Sequence, residues 1–229
     1  MIFLYFGYLS VLYSSLVYYS YHRANKKDFD IKIALDLSLI IMVFGFIGGR
    51  AMHVLYEQPE YYANDWVQVF YFWQGGFVFY GGAVLALLTS LIYLFWQKVE
   101  IFSWMDFFAP ILALGYALGR ISCLIAGCCY GRSCEMPWAI DGRHPTQVYA
   151  AVLEFIVFLF LVKFEDRKLK SGEVFLTWVV LHSLGRLIME HYRDDFRGNL
   201  IFGSSISTLL SVIFLILGIG LIVKRRVRD

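Results

Sequence analysis

Three arginines interrupt otherwise apolar stretches of this chain: Arg50, Arg120 and Arg186. An arginine at the centre of a helix in lipid costs roughly 2.5–3.5 kcal/mol on insertion scales, so such a residue is kept for a partner or a task. In HSLGRLIMEHYR, His182, Arg186, Glu190 and Arg193 stand at i, i+4, i+8 and i+11 and therefore share one helical stripe. Two readings follow. Arg186 and Glu190 can simply neutralise each other. Alternatively, one glutamate cannot balance three buried arginines, even with Glu154 and Asp36 at similar depth, and the surplus cation calls for an anionic ligand. In a membrane the abundant anion is a lipid phosphate, which the planar guanidinium fork grips in two places.

A second group of reactive residues lies in GYALGRISCLIAGCCYGRSCEMPWAIDGRHPTQVY, from Gly115 to Tyr149. It holds Cys123, Cys128, Cys129 and Cys134, then Gly131, then His144 just before Pro145, Thr146 and Gln147. The cysteines are open to three uses: a disulfide, a metal site, for which the C-x2-C pair usual for zinc is missing, or a reactive or acylated thiol. A third stretch, WQGGFVFYGG at 73–82, places Tyr80 between two glycine pairs. The glycines serve either close helix packing or close backbone approach to a ligand head group, and Tyr80 is either a proton donor and acceptor or an interfacial aromatic.

These residues need a membrane scaffold. The chain has 229 residues, 59% of them hydrophobic and 19% aromatic, with positive mean hydropathy; that is the composition of an integral membrane protein rather than a soluble one. Seven apolar stretches reach the 17–25 residues that a spanning helix needs, near 2–20, 33–55, 77–96, 105–127, 146–163, 174–191 and 204–223. They show no period-2 alternation, so a barrel is excluded and an all-α bundle of about seven transmembrane helices is expected. The first stretch lacks a basic leader region and a small-residue cleavage site, and reads as a retained span. Loops are short and no repeat is visible, so 1–229 reads as one transmembrane domain.

Thirteen lysines and arginines fall in one alternate set of connections and the C-terminal tail, against four (Arg132, Arg143, Arg193, Arg197) in the other. The positive-inside rule puts the N-terminus outside and the C-terminus in the cytoplasm. The 128–144 loop, the aromatic 57–73 loop with its interfacial belt, and the 192–199 loop then open on the outer face, and Asp194 and Asp195 read as a solvated acidic loop. On that oxidising face the first expectation is a disulfide from Cys134 to Cys128 or Cys129. The basic residues sit in short clusters between spans, which excludes nucleic acid as a partner.

Taken together, the motifs resemble the prolipoprotein diacylglyceryl transferase family. The resemblance runs in order through YFGYLS, DLSLIIMVFGFIGGRAMHVLYE, WQGGFVFYGG, DFFAP, GRISCLIAGCCYGR, HPTQVY and HSLGRLIMEHYRDD. It implies a bacterial cytoplasmic (inner) membrane enzyme that transfers the diacylglyceryl group of phosphatidylglycerol to the lipobox cysteine thiol of a lipoprotein precursor, releases glycerol phosphate, and requires no metal or organic cofactor. By resemblance, Arg120 and Arg186 match the arginines of the phosphatidylglycerol site, with Arg50 a weaker candidate. Gly131 matches the signature glycine, and Glu190 and Arg193 match the acidic and basic residues of the sixth span. The chain departs from the family where Tyr80 replaces a histidine needed for activity and His182 replaces a tyrosine. Cys123, Ala126, Cys128 and Ala150 replace two asparagines, an acidic residue and a glutamate. The base is therefore expected among His182, Tyr80 and His144. Three other readings stand beside this one: a divergent transferase with a different acceptor, a membrane thiol oxidoreductase, and a lipid-binding member without catalysis.

Overall fold

The computed structural model describes residues 2–194 and 204–227; Asp195, Arg197 and Arg228 lie outside them. Among the described residues the chain is all-helical. Seven long helices are α1 (Ile2–Lys26), α2 (Ile31–Met52), α4 (Phe79–Gln97), α5 (Ile101–Ala126), α6 (Thr146–Phe164), α7 (Glu173–Tyr192) and α8 (Ile206–Val227), with the short α3 (Pro59–Asn64) between α2 and α4. Each long helix coincides within a few residues with an expected span. Five segments are long and apolar enough to cross a membrane: α2 with its extension to Glu57, α4, α5, α6 and α8. The remaining two are more polar, α1 being rich in tyrosine and serine and α7 carrying Glu173, His182, Arg186 and Glu190.

The chain forms two compact units, Val17–Ile101 and Met1–Leu16 with Phe102–Asp229. In the first, α2 and α4 pack through glycines. A Cβ on Gly82 would sit 2.5 Å from the Gly45 carbonyl oxygen, and one on Gly48 would meet Leu85 Cβ at 2.7 Å. Close packing is thus the role of the second glycine pair, since small residues are what allow two membrane helices to approach. The first pair does something else. Gly75 and Gly76 have φ of +87° and +81°, and this left-handed turn aims both carbonyls at Arg50: Nη1 donates to Gly75 O at 2.5 Å and Gly76 O at 3.2 Å. Arg50 Nε donates to Val69 O at 3.0 Å and Nη2 to Gln68 O at 2.7 Å. Tyr62, expected in the exposed aromatic belt, is buried with its ring against the Arg50 guanidinium. Trp66, Phe70, Phe72 and Trp73 are exposed as expected.

In the second unit, Ala109, Ala113, Val157, Leu161 and Val174 form the core between α5, α6 and α7. Helix α7 is fitted closely to both neighbours: a Cβ on Gly185 would meet Leu153 at 2.7 Å, and one on Gly218 of α8 would meet Val180 at 2.8 Å. Its start is fixed by Asp106 of the DFFAP segment, whose carboxylate accepts the backbone N–H of Gly172 at 2.6 Å and of Phe175 at 2.8 Å. These are donors that a helix N-terminus leaves unpaired. Glu173 meets Arg226 of α8 at 3.1 Å. The register of α7, and with it the depth of Arg186, is set from this end.

Asp106→Ala therefore removes the α7 cap, and loss of a cap costs about 0.5–2 kcal/mol. Thermal unfolding in detergent should show a lowered midpoint for this variant; an unchanged midpoint would mean that α7 is held by its flanks alone.

Candidate functional site

Two chain reversals build the site. After α5, Gly127 (φ +69°) and Cys129 (φ +63°) turn the chain back, and Cys128 N–H donates to Cys123 O at 3.1 Å. The turn is pinned by the start of α6, where Thr146 Oγ1 donates to Cys129 O at 2.6 Å and Gln147 Nε2 to Cys128 O at 2.5 Å. The HPTQ segment is thus a clamp on the cysteine turn. Further on, Gly131 N–H donates to His144 O at 3.0 Å, Arg132 N–H to Tyr192 O at 2.9 Å, and His144 N–H to Arg132 O at 2.9 Å. A Cβ on Gly131 would lie 2.7 Å from His144 Cβ and 2.8 Å from Tyr192 O. Only glycine lets this loop lie between the head of α6 and the end of α7.

These constraints leave a small, partly open cleft lined by Tyr116, Arg120, Cys129, Thr146, Ala150, Arg186, Met189 and Arg193. Arg120 and Arg186, expected to share a cavity, do so, and Arg193 joins them. Arg120 Nη2 donates to the hydroxyl of Tyr116, one turn before it on α5, and its guanidinium lies 4.6 Å from the ring centroid. Arg186 is buried. Its Nη2 donates to Ser207 Oγ at 2.8 Å and meets Glu190 Oε2 at 3.1 Å, so the neutralising pair exists. Glu190 also accepts from Ser205 Oγ at 2.8 Å. Even so, Arg186 Nη1 is buried with no hydrogen-bond partner among the described residues. An unmade buried donor costs about 1–3 kcal/mol, more when it is charged, so the internal pair leaves Arg186 incompletely satisfied.

The three candidates for the base have different surroundings. His182 Nδ1 lies 3.0 Å from Glu154 Oε2, and the other oxygen of this buried carboxylate accepts from Trp178 Nε1 at 2.8 Å. The His182 ring meets the Tyr116 ring edge to face at 4.6 Å, so it reaches the cleft wall through Tyr116. His144 Nδ1 lies 3.2 Å from Tyr149 OH, which accepts from Trp138 Nε1 at 2.7 Å. Tyr80 is half-buried in the first turn of α4, in the other unit. Arg50 also belongs to that unit, where its guanidinium holds the 68–76 turn through carbonyls. Tyr116, at i−4 from Arg120, is a contact that the sequence reading did not single out, and Glu154, noted there as an acid at the depth of the arginines, is found against His182.

The expected disulfide is not formed. All four cysteines are free thiols. The reversal at Gly127 and Cys129 sends Cys128 and Cys129 back toward Cys123, so that these three sulfurs lie within 4.8 Å of one another. Cys134 is carried off into the following hairpin, where its N–H donates to Gly142 O at 2.9 Å. Hydrogen bonding from the Cys123 and Cys128 thiols holds the Cys129 sulfur well below the usual thiol range, and the charges of Arg193 and Arg120 act in the same sense. A lowered thiol pKa means that the thiolate persists as pH falls. In reduced, chelator-treated protein, Cys129 should therefore be alkylated nearly as fast at pH 6 as at pH 8. Peptide mapping after pulsed labelling reads this, and a marked slowing of Cys129 at pH 6 would contradict it.

Comparison with known proteins agrees with the geometry. A family model described as prolipoprotein diacylglyceryl transferase matches residues 4–224. Among curated relatives, the phosphatidylglycerol–prolipoprotein diacylglyceryl transferase of Bordetella parapertussis is 33% identical over 197 residues, 81% of this chain and 75% of the relative. Its counterpart in Bordetella avium is 30% identical over 95% of this chain and 88% of the relative. The Clostridium tetani protein of the same name is 27% identical over 86% and 82%. A match that runs from the first long helix to the last, at this identity and with several apolar helices able to cross a membrane, makes this multi-pass membrane chain a member of the prolipoprotein diacylglyceryl transferase family.

Proposed function

We propose that the arginine cleft holds the phosphate of phosphatidylglycerol and that the protein transfers the diacylglyceryl group to the lipobox cysteine thiol of a lipoprotein precursor in the bacterial cytoplasmic membrane, with the N-terminus outside. The observation that carries this reading is Arg186 Nη1, buried and without a partner among the described residues, on the wall of a cleft it shares with Arg120 and Arg193. A phosphate there supplies the missing acceptor and offsets the surplus positive charge. As the C–O bond breaks, negative charge grows on the departing glycerol phosphate, and fixed cations in a site of low dielectric stabilise it more than water can. Glu190 orients Arg186, Tyr116 orients Arg120, and Gly131 lets the loop carrying Arg132 dock against the residues before Arg193.

His182 is the base of this reading. With Glu154 accepting at Nδ1, the imidazole presents Nε2 as its proton acceptor, and a neutral histidine is better matched to neutral pH than a tyrosine, which titrates near 10. Tyr80, which the resemblance sets at the position of the family's histidine, is the second candidate, and His144 is the reserve candidate.

Purified protein with labelled phosphatidylglycerol and a lipobox peptide tests the scheme. Arg186→Gln and Arg120→Gln should each lower transfer by at least about 100-fold, as loss of an electrostatic stabiliser of the transition state does elsewhere. His182→Phe should abolish transfer while lipid still binds, and Tyr80→Phe should cost much less. Activity that survives His182→Phe and is lost in Tyr80→Phe would move the base to the other unit; wild-type protein inert toward the peptide would overturn the acceptor.

A further inference from the structure

The three convergent thiols have no part in the scheme above. Cys123 closes α5, Cys128 and Cys129 follow the reversal, and the fold brings their sulfurs within 4.8 Å of one another although their spacing in sequence does not suggest it. Three sulfurs around one tetrahedral ion at the usual zinc–sulfur distance of 2.3 Å lie about 3.8 Å apart, so closing on a metal requires a contraction of at most about 1 Å. The turn that presents them is held in place. Cys129 keeps a left-handed backbone (φ +63°) that is unfavourable for a non-glycine residue, and Gln147 and Thr146 grip the carbonyls of Cys128 and Cys129 from α6. Strain maintained by side-chain clamps marks a conformation kept for a purpose. Cys128 is exposed and Cys129 lies on the cleft wall, so the group is accessible from outside and borders the cleft.

We propose that Cys123, Cys128 and Cys129 bind one thiophilic d10 metal ion, of the zinc or cuprous class, as three thiolates, and that its open fourth position takes the acceptor thiol at the edge of the arginine cleft. Soft sulfur ligands select such ions, and a site with three protein ligands and one free position is the pattern of catalytic rather than structural zinc. Three thiolates and a divalent ion carry one net negative charge, which Arg120 and Arg193 on the same cleft wall offset. A thiol that coordinates such an ion is deprotonated outright. The transfer then balances as follows: the acceptor S–H proton passes to His182, a bond forms from the acceptor sulfur to the terminal glycerol carbon, and the bond from that carbon to the phosphate oxygen breaks, its electron pair leaving with glycerol phosphate. The acceptor role rests on the transferase reading; the metal site does not.

Cobalt(II) is the probe. Full-length protein in detergent, reduced and anaerobic, should take up one Co²⁺ per chain, with near-ultraviolet thiolate charge-transfer bands and the visible bands of a four-coordinate ion, and Zn²⁺ should displace it. Cys129→Ser should weaken uptake at least 10-fold, since even outer-shell partners are worth 10–100-fold, and Cys134→Ser should leave it unchanged. A lipobox peptide added without lipid should shift the visible bands, and its Cys→Ser form should not. No uptake, or uptake indifferent to Cys129→Ser, overturns the site; bands unmoved by the peptide thiol overturn its acceptor role. If protein shown to be metal-free transfers lipid at the full rate, the acceptor role of the ion falls and the transferase reading stands. If the protein binds the ion as described yet transfers no lipid, the site stands and that reading falls.

Discussion

A guanidinium buried among apolar helices must have its charge and its donors answered, and at Arg186 the protein answers them only in part. Glu190 and Ser207 engage Nη2 while Nη1 stays unpaired among the described residues. Arg50 shows what complete satisfaction looks like in the same chain, with carbonyls from four residues around one guanidinium and two rings stacked on it. Arg50 is thus answered by carbonyls of its own unit whereas Arg186 keeps an unpaired donor, although both residues are buried. Much of the second unit serves this incomplete site: Asp106 fixes where α7 begins, Gly185 and Gly218 let its neighbours close on it, and the glycine at 131 lets the cysteine loop lie across its end.

The helices were legible from the chain because membrane spans announce themselves by length and apolarity, and that signal is one-dimensional. The pairing of Arg120 with Arg186 was legible for a related reason: two cations in apolar surroundings with too few acids must share whatever neutralises them. Residues whose roles depend on chain reversals were harder to read. The direction of the cysteine turn follows from left-handed backbone at Gly127 and Cys129 and from clamps supplied twenty residues later, so spacing alone pointed to Cys134 as a partner when Cys123 is the neighbour. The partners of Arg50, the weaker candidate for the anion site, were not legible because they are carbonyls of an irregular turn, which no side-chain pattern encodes. Tyr116 was overlooked although its i, i+4 relation to Arg120 was available; an apolar helix hides a functional tyrosine among packing aromatics.

Within the family to which the chain belongs, its substitutions form two groups. His182 in place of a tyrosine sits on a buried carboxylate, Glu154, that fixes its ring, so a proton acceptor has a definite orientation without any help from the other unit. Cys123 and Cys128 stand where the resemblance expects an asparagine and an acid, and their sulfurs converge on Cys129, which lines the cleft. On the proposed scheme both departures concern the acceptor thiol, while Arg120 and Arg186 keep the part proposed for them at the phosphate.

The central claim is that the arginine cleft is a phosphate site for an anionic lipid, and direct retention of that lipid tests it without reference to turnover. Native mass spectrometry of the detergent-solubilised protein with phosphatidylglycerol should show a single adduct that survives activation, is not formed with an uncharged diacylglycerol, and is lost in the Arg120→Gln, Arg186→Gln double variant. A double variant that retains phosphatidylglycerol as tightly as the unaltered protein would contradict the account.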